Sequence, residues 1–425
     1  MKQQKTWQKN KSALFVIFLF SIFLFFSCSL SNKKPTVLWT NIAECVSYVE
    51  LFNGKHNQEK VILVYKANPS LALQNLKGEV PPDIVISSFL KTEKTKQLFR
   101  SLDNIFNERN ISQNMFYQNL IGAGKIKNTL YLLPISFNLP ALIFSKENSS
   151  FVETDYTLTL RQVKDFATNF NSKNRAGSYT RLGFVPQHNA DFLYCATKLF
   201  SCNYGETKSQ FTWNDENLKK AILFLHDWTQ TSNTSSLVEQ DFSYKYLSMP
   251  DYKQVASGKT LFAYTTSNKF FELSQEQMNS LDYRWLCNED GIPVEDEIIF
   301  AGIPRRAKKV DSAYTFLAWL LNAKTQTEII SLKERNMLNT TRFGIAGGFS
   351  SLIEINEHVL PLHKTALLTN IPQHNSITSH ENLPANWAEI KSDIIMPYLN
   401  QEMKNKEENI ALELRIEEWE KQHYN

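Results

Sequence analysis

The 425-residue chain carries 46 basic and 43 acidic side chains, a net charge of +3. Its first 27 residues hold four lysines and no acid, so the charge falls to −1 once they are removed. The remainder then gives no global reason to expect nucleic acid or an anionic surface as partner. A hydrophobic content of 42% is that of an ordinary globular chain. Roughly 400 residues beyond the leader are enough for a large core and two domains.

The chain opens with Lys2, Lys5, Lys9 and Lys11, then the apolar run Ala13–Phe26, then Ser27-Cys28. A positive region followed by about 14 apolar residues has the form of a secretory signal and is short for a spanning helix. The Cys placed directly after it resembles a bacterial lipobox, which implies that residues 1–27 are a lipoprotein signal peptide and that Cys28 is acylated. Residues 28–35, polar and closed by Pro35, read as a tether. The expected location is the cell membrane, lipid-anchored and facing the periplasm or exterior. No later stretch approaches 18 apolar residues.

From Thr36 the pattern is α/β. Thr36–Trp39 reads as a buried strand, with Ile42, Val46, Val49 and Phe52 following at helical spacing. Val61–Tyr65 is a second strand, and Asn68-Pro69 an N-cap and first-turn proline opening a helix to Leu76. Asp83–Ile86, after Pro81-Pro82, is a third strand. Strand–helix–strand–helix–strand in this span predicts a parallel sheet. Leu130–Leu133 and Ala141–Phe144 are strand-like, and the prolines between them mark a chain leaving one sheet for another. Amphipathic helices are expected after Asn214 (Leu218, Ala221, Ile222, Leu225, Trp228), over Ser312–Leu321, and over Ile410–Trp419.

Five motifs in order resemble the extracellular solute-binding proteins of ABC importers, sugar-binding type: Thr36-Val37-Leu38-Trp39-Thr40, Pro82-Asp83-Ile84-Val85, the segment from Leu132-Leu133-Pro134 to Phe144, Ser257-Gly258-Lys259-Thr260-Leu261-Phe262, and Phe300-Ala301-Gly302-Ile303-Pro304. The resemblance implies a two-lobed α/β periplasmic-binding-protein fold, each lobe a mainly parallel sheet flanked by helices, joined by hinge strands. Lobe 1 would comprise 36–138 and 287–330, and lobe 2 139–286 and 331–425. It further implies a non-enzymatic monomer without cofactor that grips a small polar solute, a carbohydrate by family, and hands it to ABC permease subunits. The alternative is a surface lipoprotein that keeps the fold as an adhesin or interaction module.

Ligands on open α/β sheets bind beyond the carboxyl ends of strands. Candidates there are Thr40, Asn41, Glu44, Ser87 and Ser88, with Phe137 and Asn138 at the hinge, and Tyr264, Asn268 and Phe270 after the glycine-marked strand. Asn41 is also placed to cap the helix from Ile42, and Glu44 to complement its dipole. The family often carries a stacking tryptophan where Asn268-Lys269-Phe270 stands; Tyr264 or Phe270 is the substitute. Gly347-Gly348-Phe349 is a candidate cleft loop of lobe 2.

Other features read more blandly. Cys45, Cys195, Cys202 and Cys287 form no CxxC pair, leaving either a Cys195–Cys202 disulfide or buried free thiols. His358, His363, His374 and His380 lack the partners of a metal site. Glu289, Asp290, Glu295, Asp296 and Glu297 miss the EF-hand spacing and read as a solvated loop. Arg305, Arg306, Lys308 and Lys309 read as a solvated basic patch. Neither a nucleophile elbow nor a phosphate loop is present.

Overall fold

The structure is a computed structural model describing residues 34–424, apart from 77, 110, 155, 209, 336–341, 380–381 and 405–409. The signal, Cys28 and His380 lie outside the described residues. Two sheets organise the chain. The first has the strand order Phe349–Ser350, Leu133–Phe137, Ile299–Gly302, Ile84–Ser87, Thr36–Thr40, Val61–Tyr65. The second runs Phe262–Thr266, Pro140–Ser145, Leu281–Leu286, Thr157–Leu158. The fold is two-lobed α/β.

The sheets are mixed rather than mainly parallel. In the first sheet only Thr36–Thr40 and its two neighbours pair in parallel, where helices supply the crossovers. The remaining pairs of that sheet, around Leu133–Phe137 and Ile299–Gly302, are antiparallel, because these strands run toward or away from the crossings between lobes. In the second sheet Pro140–Ser145 is antiparallel to both neighbours.

Local chemistry sets the elements. Asn68 Oδ1 accepts from Leu71 N at 3.0 Å, capping helix Pro69–Gln74. Asn214 caps Asp215–Asp227, whose Leu218, Ala221, Ile222 and Leu225 are buried. Helix Val310–Leu320 buries Ala313, Phe316, Leu317 and Leu320, and Leu412–Tyr424 buries Leu412, Ile416 and Trp419. Asn41 does not cap the first helix, which begins at Cys45; Thr40 Oγ1 instead accepts from Ile42 N.

The chain leaves the first sheet at Phe137, enters the second at Pro140, and returns between Leu286 and Ile299. A third crossing, expected near residue 330, lies further on. From Ile292 to Ile377 the buried apolar side chains pack in the core of the first sheet, and those from Leu383 in the second lobe's core. Phe349–Ser350, expected in lobe 2, pairs with Phe137 and Ser136 as an edge strand of the first sheet. The reason is the turn Gly344–Gly348, which sends the chain back along Leu133–Phe137. Gly344 has φ +56°, and a Cβ there would stand 2.1 Å from Gly348 O.

Candidate functional site

The sequence-selected residues fall into three groups. The first is buried. Thr40 donates to Cys45 Sγ; Phe137 packs on Phe349 at 5.7 Å; Phe270 packs on Tyr283 at 5.0 Å. Tyr264 is buried too, its ring against Phe192 and its hydroxyl donating to Glu295 Oε1. Along its strand Phe262 and Tyr264 share the face that packs into the second lobe's core. Tyr264 is 6% and Phe270 1% exposed, so neither is an open stacking platform.

The second group forms the hinge. Asn138 Nδ2 donates to Gly347 O at 3.0 Å, and Asn138 Oδ1 accepts from Ser267 Oγ at 2.7 Å. Ser267 Oγ in turn accepts from Leu139 N. Glu295 N donates to Asn138 O at 2.8 Å, joining the two crossing segments directly. The loop Gly344–Gly348 therefore sits on the hinge rather than in lobe 2. Glu44, its side chain 10% exposed, faces Arg342 across 3.8 Å beside Gly347. The third group stands at the strand ends: Ser87 Oγ donates to Asn41 Oδ1 at 2.9 Å, and Thr266 Oγ1 to Asn268 Oδ1. Ser88 follows Ser87 and is half-buried.

Between the lobes lies a groove of ≈ 730 Å³. One wall carries Gln74, Asn75 and Lys94, the other Glu206, Phe211 and Asn386. The lobes meet beside it: Asn68 Nδ2 donates to Ala385 O at 2.9 Å, Leu383 N to Lys91 O at 3.3 Å, and Glu93 N to Glu206 Oε2 at 3.4 Å. Burial raises the Glu206 carboxyl above its usual value. Phe89, on the first lobe, reaches across and packs against the second lobe's core at φ +54°.

The aromatic wall is held from behind by a buried charge. Phe211, half-buried, stacks on Trp387 at 5.4 Å and 28°, and Tyr204 packs against both. Trp387 Nε1 donates to Asp296 Oδ2 at 2.8 Å; Tyr194 OH donates to the same oxygen at 2.7 Å. Lys198 Nζ donates to Asp296 Oδ1 at 2.7 Å, and Lys391 Nζ lies 3.6 Å from Oδ2. Burial by itself would depress both ammonium groups, but Asp296 beside them holds each above the usual lysine value. Burial raises the neighbouring Glu295 carboxyl.

Asp296 was expected in a solvated loop and is 2% exposed. The signal was in the alternation: Ile292, Val294, Asp296 and Ile298 are all buried, whereas Glu297 is exposed. Phe211, Trp387 and Glu206 carry no local motif that marks them. The Cys195–Cys202 disulfide is absent: Cys45, Cys195, Cys202 and Cys287 are free thiols, and burial pushes those of Cys195 and Cys202 up to about 12. Among the described residues no cluster is arranged to hold a metal ion.

No protein-family model and no curated protein matches the chain. Solved structures do. The sugar-binding protein MalE from Xanthomonas citri superposes with a TM-score of 0.63 at 10% identity, over 92% of this chain and 96% of that one. The ABC substrate-binding protein Lmo0181 from Listeria monocytogenes, in complex with cycloalternan, gives 0.58 at 13% identity, over 92% and 99%. The maltose-binding protein MalE from Listeria monocytogenes, in complex with maltose, gives 0.58 at 14% identity, over 88% and 93%. The chain thus has the fold of the two-lobed solute-binding proteins, over nearly its whole described length.

Proposed function

We propose that this protein is a lipid-anchored, non-enzymatic solute-binding component of an ABC importer, taking a carbohydrate in the interlobe groove and delivering it to the permease. The observation that carries the reading is the groove itself. It joins a half-buried aromatic ring, Phe211, to amide, hydroxyl and carboxylate groups from both lobes. A sugar presents one apolar face for stacking and a rim of hydroxyls for hydrogen bonds, which is the complement of that lining. The sugar-bound neighbours of the same fold support the choice of ligand class. The lipid anchor rests on the Lys-rich leader and Cys28.

Isothermal titration calorimetry against malto-, manno- and cyclic oligosaccharides tests it. At least one is expected to bind, and Phe211→Ala should weaken that binding about tenfold, the loss of one stacking contact. No heat from any glycan, together with no thermal shift, would overturn the carbohydrate reading.

One observation favours the alternative of an interaction module. Phe89, the Leu383 N–Lys91 O bond and the Asn68 side chain on Ala385 O join the lobes by direct protein contacts beside the groove. That reading expects a protein partner to stabilise the chain where no glycan does.

A further inference from the structure

The register of the first sheet fixes which segments share an end. Leu38 is opposite Ile84, so Val37 stands beside Asp83, and Thr36 is opposite Val61. Gly302 is opposite Val85 in an antiparallel pair, which carries Pro304 and the residues after it to that same end. Three hydrogen bonds confirm the placement. Asp83 Oδ2 accepts from Val37 N, and Asp83 Oδ1 accepts from Lys308 N and Lys309 N at 2.9 Å. Phe99 bridges to Pro304, bringing Arg100 alongside, where its guanidinium donates to Arg305 O.

The result is a basic face. Lys34, Lys60, Arg100, Arg305, Arg306 and Lys308 are exposed there, and none of them appears in an ion pair among the described residues. Asp83, the acid in their midst, is 5% exposed and occupied by backbone N–H groups. Glu59 and the exposed Asp103 and Asp311 offset only part of the charge. A net charge near zero conceals this, because the fold gathers basic side chains from four separate segments.

The same end is where the chain departs toward residues 1–33. Lys34 stands two residues before the strand that opens at Thr36, and in the sequence Cys28 and the greasy run lie a few residues further back. Seven residues of extended tether from Cys28 to Lys34 span at most about 25 Å. We infer that this face docks on an anionic phospholipid surface, so that the first lobe rests on the membrane by its basic end, while the opposite ends of the strands point away. The inference rests on the proposed lipid anchor. One acyl anchor and a polybasic patch are the two signals that together give stable attachment. Clustered Lys and Arg gain from the negative potential of anionic headgroups within a Debye length of the surface.

The test uses the acylated protein mixed with vesicles of phosphatidylcholine alone or with added phosphatidylglycerol. Vesicle flotation reads the anchor, and a water-soluble acetylating reagent with mass spectrometry reads the face. Lys34, Lys60, Lys308 and Lys309 are expected to acetylate about three-fold more slowly on the anionic vesicles. Lys219 and Lys220, on a second-lobe helix, should not change. Protection should vanish in roughly 0.5 M salt, and in Arg306→Glu as well as Arg305→Glu/Arg306→Glu. Equal labelling on both vesicle types would overturn the docking face while leaving the anchor intact. Flotation with only the anionic vesicles would support the face and refute the anchor; flotation with neither would refute both. Stronger protection by inorganic polyphosphate in solution than by vesicles would assign the face to a soluble polyanion and overturn the lipid reading.

Discussion

Ser267 donates to Asn138 at 2.7 Å, tying the helix that follows the edge strand of the second sheet to the residue at which the chain first crosses between lobes. Asn138 simultaneously holds Gly347 O on the first lobe's side. One amide thus fixes three segments of the hinge, and Asn138→Ala removes both bonds together. The expected loss is about 2–3 kcal/mol, because the buried Ser267 hydroxyl and Leu139 N–H lose their arrangement as well. Denaturant unfolding reads it; a loss under about 0.5 kcal/mol would show the hinge to be held by other contacts.

Asp296 gives a larger effect. Asp296→Ala would take from the buried Lys198 and Lys391 the carboxylate that contacts them both, leaving only the more distant Glu295 and Glu297, and would leave Trp387 Nε1 without its acceptor. A destabilisation of about 3–5 kcal/mol is expected. Binding of a glycan should fall with it, since Trp387 backs Phe211. Calorimetry on the folded fraction separates the two: stability lost with affinity unchanged would exclude any positioning role for Asp296.

Glu239 predicts a pH dependence. It is fully buried, Asn233 Nδ2 donates to its Oε1 at 2.7 Å, and its Oε2 has no hydrogen-bond partner among the described residues. Burial pushes the carboxyl up to about 7. Below the unfolded value of 4.5 both states are protonated and no charge is buried. As pH rises from there to about 7 the unfolded state loses its proton first, so stability falls, by about 3 kcal/mol at most, and stays low above that. Glu239→Gln should abolish this slope. Melting curves across that window check it, and a variant with the parent's slope would acquit Glu239.

Two glycine substitutions should act with opposite signs. A Cβ at Gly348 would stand 2.5 Å from Phe137 O, a backbone atom that cannot yield, so Gly348→Ala should cost about 1–3 kcal/mol. At Gly122, inside helix Gln118–Ala123, a Cβ meets nothing within 4 Å, and Gly122→Ala should stabilise by about 0.5–1 kcal/mol. Calorimetric melting of the pair decides it; like signs would contradict the geometry.

Much of the fold was legible because its elements declare themselves locally. The Asn68 and Asn214 caps and the inward faces at Leu218–Leu225 and Ala313–Leu320 follow from short-range spacing. Strand alternation also held the clue to Tyr264 and Asp296, whose neighbours at two-residue spacing are buried on the same side. The groove was not legible. Asn75, Lys94, Phe211 and Asn386 come from four distant segments that tertiary packing alone brings together. The third crossing falls later than residue 330 because helix Ala323–Arg335 turns Ile329 and Ile330 into the first core, a packing choice that local spacing does not specify.

Phe89 has a mechanical meaning beyond its contacts. Any separation of the lobes has to withdraw this ring from the apolar cluster of its neighbour. Phe89 is half-buried, so exposing it costs only part of the about 1.5–3 kcal/mol of a fully buried aromatic side chain, and relief of its left-handed backbone offsets some of that. With the Asn68–Ala385, Leu383–Lys91 and Glu93–Glu206 bonds beside it, the ring is one part of a latch that any parting of the lobes has to release. A solute arriving at the groove would meet a door that is mostly shut, and the rate at which Phe89 lets go would cap the rate of capture.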